Sequence, residues 1–332
     1  MPFLIAFGLA LVLTPAFGRM GLAVGLVDRP EDALKIHSRP VPVLGGVAVM
    51  ASALGTLAAL RSWLPSAVIV AAAIALGAGL LDDTKPVPPW LRLLLQAAAA
   101  GVLLGAGFSL GPLGVLSAIS GLVLVLACAN ATNMLDGQDA LVGGLAAIAA
   151  LGLSALAAWS GGSEAARLGL ALGGALVGFT IWNRPPARIF LGNGGAYAVG
   201  TLLAVIALVV TSQSGWRGLL AAGVCLGVFA FEIVFTVTRR FLSGSPIVPG
   251  DRFHSFDLLA AEQGRNRVTL LFWGLGLVAA GLAFLIRLLP LTAGVFVTAA
   301  ASGLAGLAGA RLYTRLVRSR KKAEAAMNEE MS

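Results

Sequence analysis

The sequence predicts an all-α, polytopic membrane protein, and three observations carry that prediction. Of its 332 residues, 58% are hydrophobic and 11% charged, whereas a soluble domain carries about 25% charged residues. Mean hydropathy is +0.92. The apolar residues fall into runs of about twenty, the length a helix needs to cross a bilayer. The formal charge of +8 is scattered between those runs, which fits positive loops that set topology rather than a nucleic-acid surface. The expected surroundings are a lipid bilayer, with no nucleic-acid partner. Both cysteines, Cys128 and Cys225, lie inside apolar runs and read as packing residues, not a disulfide.

About eleven helices are expected, with limits near 3–24, 44–62, 66–82, 90–107, 112–130, 140–159, 166–182, 194–212, 216–240, 267–287 and 290–313. The first begins at Phe3 and meets no charged side chain before Arg19, so it reads as a span rather than a removed signal. The second opens at Gly45 and Gly46 behind a proline-stiffened loop. The third runs into Asp82 and Asp83, and the fourth begins beyond Pro86, Pro88 and Pro89. The fifth leads into a polar stretch, and the sixth leaves it. The eighth follows a glycine-rich segment around Asn193; the ninth ends at Arg239 and Arg240, before the longest loop. A short gap at Pro290 divides the last two.

Orientation follows from lysine and arginine. Alternate loops and their flanks hold Arg29, Lys35, Arg39, Lys85, Arg92, Arg184, Arg188, Arg239, Arg240, Arg252, Arg265 and Arg267; the opposite loops hold Arg61, Arg167, Arg217 and Arg287. The first set is expected in the cytoplasm, with the N-terminus outside and the C-terminus inside. The polar clusters all fall on that side. A transporter should show polar groups near mid-bilayer and repeated halves. One-sided polarity points instead to an enzyme that meets a cytosolic substrate and a lipid.

The central cluster is Asn130, Asn133, Asp136 and Asp139, spaced by three. On a helix that spacing puts them on nearly one face, although Gly137 can break it. Carboxylates beside a membrane core are costly and usually functional, and clustered oxygen ligands suit a hard cation such as Mg²⁺. Asp82 and Asp83 repel each other at a helix end unless a cation or proton lies near. Lys35, His37 and Arg39 in the first loop can meet a phosphate or nucleotide. Asn193 sits among three glycines that allow close backbone approach to a ligand. His254, one of two histidines, lies between Asp251-Arg252 and Asp257.

In order, the motifs "KIHSRPVPVLGG", "DDTKPVPPWLRLLLQ", "NATNMLDGQDAL", "FLGNGGAYAVG" and "RRFLSGSPIVPGDRFHSFDLLAAEQG" resemble those of the polyprenyl-phosphate N-acetylhexosamine-1-phosphate transferases, over nearly the whole chain. The first motif looks more like the branch that initiates glycans and teichoic acids than the peptidoglycan muramyl-pentapeptide branch. The resemblance implies a multi-pass protein of the bacterial inner membrane. Residues 1–313 would form one transmembrane catalytic domain and 314–332 a basic, then acidic, cytoplasmic tail. It implies a Mg²⁺-dependent reaction, with Mn²⁺ as the alternative ion, that moves a sugar-1-phosphate from a UDP-sugar to undecaprenyl phosphate and releases UMP. Asp82, Asp83, Asp136 and Asp139 would be catalytic. Lys35, His37, Asn130, Asn133, Arg252 and His254 would bind substrate. Asn133, Asp136 and Asn193 would hold the metal. A homodimer is compatible with it. Three positions depart from the family pattern: Asn193 stands where Asp is usual, Ser255 to Asp257 lack the further histidines of the last motif, and Ala140 replaces a usual glycine. Hence the alternatives: a family member that binds nucleotide or lipid with impaired catalysis, or a lipid or solute transporter.

Overall fold

The computed structural model describes residues 1–30, 39–244 and 251–331. Twelve helices follow one another among them: α1 (Pro2–Val24), α2 (Gly45–Ala59), α3 (Ser66–Thr84), α4 (Pro89–Gly105), α5 (Ser117–Leu135), α6 (Leu141–Trp159), α7 (Ser163–Asn183), α8 (Gly192–Cys225), α9 (Gly227–Leu242), α10 (Ser255–Gln263), α11 (Arg265–Leu288) and α12 (Leu291–Met331). A 3₁₀ turn, Gly111–Leu116, precedes α5. Among the described residues the one exception to the all-α expectation is a two-residue pairing of β1 (Val27–Asp28) with antiparallel β2 (Val41–Pro42).

The expected count of eleven spans is corrected. Among the described residues eight helices are long and apolar enough to cross a membrane: α1, α3, α5, α6, α7, α8, α11 and α12. Helices α2 and α4 are apolar but shorter. The stretch 216–240 is not one helix. Its first part continues α8 beyond a kink at Gly215 (φ 57°, ψ −139°), and the rest is α9. Gly215 takes a backbone conformation open mainly to glycine, and Gly218 then lies against Val210, so the chain doubles back there. Helix α12 continues through the boundary expected at 313.

Helix α8 is buried almost throughout, whereas α12 is hardly buried. A helix that is apolar on every side belongs inside a bundle, and small residues let its neighbours come close. A Cβ on Gly46 would collide with the Gly195 backbone, and one on Gly79 with the backbone of Asn193 and Gly194. The glycines flanking Asn193 thus admit α2 and α3 rather than opening the backbone to a ligand. Two more hydrogen bonds lace this crossing: Gly45 N–H to the Phe190 carbonyl (3.0 Å) and Gly46 N–H to that of Leu191 (2.8 Å). The start of α8 is thereby pinned among the ends of α2 and α3, at the end of the bundle where the predicted polar loops gather.

Candidate active site

Two successive N–H groups at the start of α8 are taken by one carboxylate, with a second carboxylate close by. Asp83, near the end of α3, accepts Asn193 N–H at 3.0 Å and Gly194 N–H at 3.2 Å. Asp136, just beyond α5, lies near the Gly192 backbone at the same helix start. The positive end of a helix dipole favours this arrangement. Gly192 makes it possible: its φ is +77°, and a Cβ there would meet the Val43 carbonyl at 2.5 Å. Burial lifts the Asp136 pKa well above the usual carboxylate range; repulsion from Asp83 and Asp139 adds to this, and the Gly192 N–H opposes it. No basic side chain is paired with Asp83 or Asp136 among the described residues.

Asp82 and Asp139 are tied differently. Asp82 accepts Val87 N–H at 3.0 Å and pairs with Arg92 of α4 at 3.2 Å. It therefore shapes the proline-rich loop and fixes a guanidinium at its edge. Asp139 accepts Ala187 N–H at 3.0 Å, holding the loop between α7 and α8. Between Asp136 and α6 runs a tight turn. Ala140 there has φ +62°, and its N–H is received by Asn183 Oδ1 at 2.8 Å, while Asn183 Nδ2 donates to the Ile189 carbonyl at 2.9 Å.

The segment 251–257 docks on that same turn. Arg252 Nη1 donates to the Gly137 carbonyl at 3.2 Å and lies 3.5 Å from Asp257. Phe256 is fully buried and packs where a Gly137 side chain would be, 2.7 Å from an ideal Cβ. Gln138 bonds the Arg265 carbonyl and the Thr269 hydroxyl of α11, at 2.9 and 2.6 Å. Arg239 grips both Asp251 oxygens, at 2.9 and 2.8 Å, and Arg240 adds a third contact at 3.2 Å. Burial acts to raise the Asp251 pKa, but these arginines and the Phe253 N–H hold it below the usual carboxylate range. Asp257 goes the other way: burial raises it, and Arg252 and His254 only partly offset that. His254 meets Glu232 of α9 through Nδ1 at 2.9 Å.

The structure thus gathers Asp83, Asp136 and Asn193 around one helix start, with Asp82, Asp139, Arg252 and His254 on the segments that frame it. It does not put the four residues spaced by three on one face. Helix α5 stops at Leu135, and Asn130 turns away to α4, donating to Gln96 Oε1 at 2.6 Å. Asn133 stays on the last turn of α5, its carbonyl receiving Asp136 N–H at 3.2 Å. Lys35 and His37 lie outside the described residues. Sequence reasoning passed over Glu232, Asn183 and the Arg239–Asp251 pair. Glu232 carried a signal: it is a lone acid inside an apolar run. Asn183 carried none beyond its place before Arg184-Pro185-Pro186.

No three His, Cys, Asp or Glu side chains converge as a ready metal cage among the described residues. Mg²⁺ is usually held by one or two carboxylates plus substrate phosphates. Asp83 and Asp136, two repelling acids at the helix start that carries Asn193, fit an ion that arrives with a diphosphate.

The glycosyl transferase family 4 model matches residues 65–211, the stretch that carries Asp82 through Asn193. The probable undecaprenyl-phosphate N-acetylglucosaminyl 1-phosphate transferase of Bacillus subtilis (strain 168) is 27% identical over 287 residues, covering 81% of this chain and 79% of that protein. The phospho-N-acetylmuramoyl-pentapeptide-transferase of Synechococcus sp. (strain RCC307) is 37% identical over 223 residues, 59% of each chain. That of Shouchella clausii (strain KSM-K16) is 28% identical over 315 residues, 83% of this chain and 94% of its own. The chain is thus similar, over residues 65–211, to glycosyl transferase family 4, and along more of its length to both an N-acetylglucosaminyl 1-phosphate transferase and muramoyl-pentapeptide transferases of bacteria; its eight candidate spans make it a polytopic membrane protein.

Proposed function

We propose that the protein transfers a sugar-1-phosphate, of the N-acetylhexosamine class, from a UDP-sugar to undecaprenyl phosphate at the cytoplasmic face. The observation that carries this reading is the pair Asp83 and Asp136 converging on the N-terminus of α8 without a basic partner among the described residues. An oxygen of the lipid phosphate attacks the phosphorus that bears the sugar. The bond to the uridine-side phosphate breaks, UMP leaves, and a lipid diphosphate sugar remains. Such transfer depends mainly on positioning and charge neutralisation.

Asp136, with Asn133 and Asn193, would hold Mg²⁺. When bound, the ion would neutralise charge on the diphosphate and on leaving UMP. Asp83, fixed by two N–H groups, orients the lipid phosphate and takes its proton. Asp82 sets Arg92, which adds positive charge at the same edge. An apolar cavity of about 120 Å³ between α5, α8 and α9, lined in part by Cys128, Ala131, Phe229 and Ile233, suits a stretch of isoprenoid chain. Lys35, His37, Arg252 and His254 belong to the nucleotide-sugar side. A second reading, binding with impaired turnover, rests on Asn193, which offers an oxygen but no charge. Radiolabelled transfer from a panel of UDP-sugars into undecaprenyl phosphate in detergent separates the two. Labelled lipid formed with Mg²⁺ and lost with EDTA is the expected result; saturable binding of UDP-sugar with no labelled lipid would select the second reading.

A further inference from the structure

His254 is fixed by a residue outside its loop. Glu232 lies within α9, and its side chain is 0% exposed, an expensive place for an acid unless its oxygens are satisfied. They are. Glu232 Oε1 lies 2.9 Å from His254 Nδ1 and 3.0 Å from the Thr236 hydroxyl. The Ser255 hydroxyl donates to Oε2, and Ser255 N–H lies 3.4 Å from Oε1. An ionised carboxylate only accepts, so the Nδ1 contact requires the proton to sit on Nδ1. Thr236, which also lies 3.2 Å from Nδ1, spends its one proton on Glu232. The imidazole is stacked on Phe256, with centroids 5.5 Å apart and planes 6° apart. Phe256 in turn packs against Gly137 of the turn that follows Asp136. The stack fixes the plane of the ring and Glu232 its rotation.

We propose that Glu232 is a positioning residue. It holds the His254 ring with Nδ1–H directed at Glu232, so that Nε2, when unprotonated, is presented as an acceptor to a hydroxyl or amide N–H of the sugar on the incoming nucleotide. A carboxylate behind a functional imidazole orients the ring and selects its tautomer. The proposal rests on the transferase reading for its kinetic arm alone.

The test uses the whole protein in detergent, labelled with ¹⁵N-histidine. The chain has two histidines, so His37→Gln assigns the spectrum. Wild type should show neutral His254 as a single Nδ1–H tautomer. In Glu232→Gln the amide offers an N–H as well as a carbonyl, and a substantial Nε2–H population should appear. An Nε2–H tautomer in wild type, or no change in Glu232→Gln, overturns the proposal whether or not the protein transfers sugar. In the kinetic arm, Glu232→Gln should cost about tenfold in kcat/KM for the UDP-sugar, with the KM for lipid phosphate unchanged. The double variant with His254→Ala should be no slower than His254→Ala alone, because coupled residues are not additive. Additive losses overturn the positioning role. A wild type that transfers from no UDP-sugar refutes the transferase reading and leaves the tautomer measurement to decide this one.

Discussion

The two halves of the polar end handle charge in opposite ways. Around the start of α8, Asp83 is held by two backbone N–H groups and repels nearby Asp136, with no basic partner on either among the described residues. In the segment 251–257 and the helix before it, acids and bases are matched: Asp251 with Arg239 and Arg240, Asp257 with Arg252, Glu232 with His254. Paired charges largely neutralise one another, so they fix a shape. Unpaired carboxylates keep an unmet demand for positive charge, which a bound cation can supply. The first half should therefore lose activity when altered, and the Asp251 pairs of the second should lose stability.

The largest effect expected is on transfer. Asp83→Asn and Asp136→Asn should each lower the rate by roughly a hundredfold or more, the scale for removing one preorganised electrostatic group. Asp136→Asn should melt near wild type, and Asp83→Asn slightly below it, since its amide keeps one acceptor oxygen for the two α8 N–H groups. Asp82→Asn should cost less, about tenfold, because its carboxylate acts through Arg92 and the Val87 turn. Equal losses at Asp82 and Asp136 would erase the distinction drawn between them. In the paired half, Asp251→Asn should leave buried Arg239 without its carboxylate. That costs about 2–3 kcal/mol, discounted from the fully buried case because Asp251 is 23% exposed. The pH dependence has a definite sign. The folded Asp251 pKa is depressed, so its stabilisation is present above the unfolded value of about 3.9 and is lost as pH falls through the folded one. Thermal melts in detergent should show wild type losing stability in that acid window, with a smaller change in Asp251→Asn. Parallel curves would mean the pair contributes little.

Much of this division was readable beforehand, and its limits have physical causes. Carboxylates at the margins of apolar runs stand out because lipid cannot solvate them, so Asp82, Asp83, Asp136 and Asp139 were found directly. Their partners were not. The Asn193–Asp83 contact joins residues 110 apart in sequence, and no local period reports such a meeting. The spacing of three failed as a guide because α5 ends at Leu135 and Ala140 turns left-handed. The expected break between 212 and 216 coincides with the kink at Gly215; span counting failed at 216–240 because that stretch divides at Leu226 into the end of α8 and α9, and Glu232 interrupts the run with a buried acid. The glycines of "LGG" and "GNGG" were visible, but their use in helix crossing appears only when Gly46 meets Gly195.

The next prediction sharpens the unpaired half. Asn193 contributes an amide where a carboxylate would add charge. Hard cations favour carboxylate oxygens over neutral ones. Asn193→Asp should therefore lower, severalfold, the Mg²⁺ concentration that gives half-maximal transfer, or restore turnover if the wild type is nearly inactive. Titrating Mg²⁺ against rate for both proteins checks this. Superimposable curves from two active proteins would remove Asn193 from the metal.

The smallest effect belongs to the turn that joins the two halves. Ala140 has φ +62°, a conformation that costs a residue with a Cβ about 1–2 kcal/mol. The conformation is imposed from outside: Asn183 receives the Ala140 N–H, Asp139 holds the next loop, and Arg252 and Phe256 press on Gly137. Glycine relieves the strain but gains more freedom in the unfolded chain, about 0.5–1 kcal/mol. Ala140→Gly should then be a net stabilisation of about 0.5 kcal/mol, a rise in Tm of about 1–2 °C for a chain of this size. Transfer should stay within twofold of wild type, because neither Asp136 nor Asp139 changes its partners. Ala140 is 4% exposed, so its methyl group also packs. A lower Tm in Ala140→Gly would show that this packing outweighs the backbone strain, and that the turn is set by side-chain contact rather than by the hydrogen bonds on either side of it.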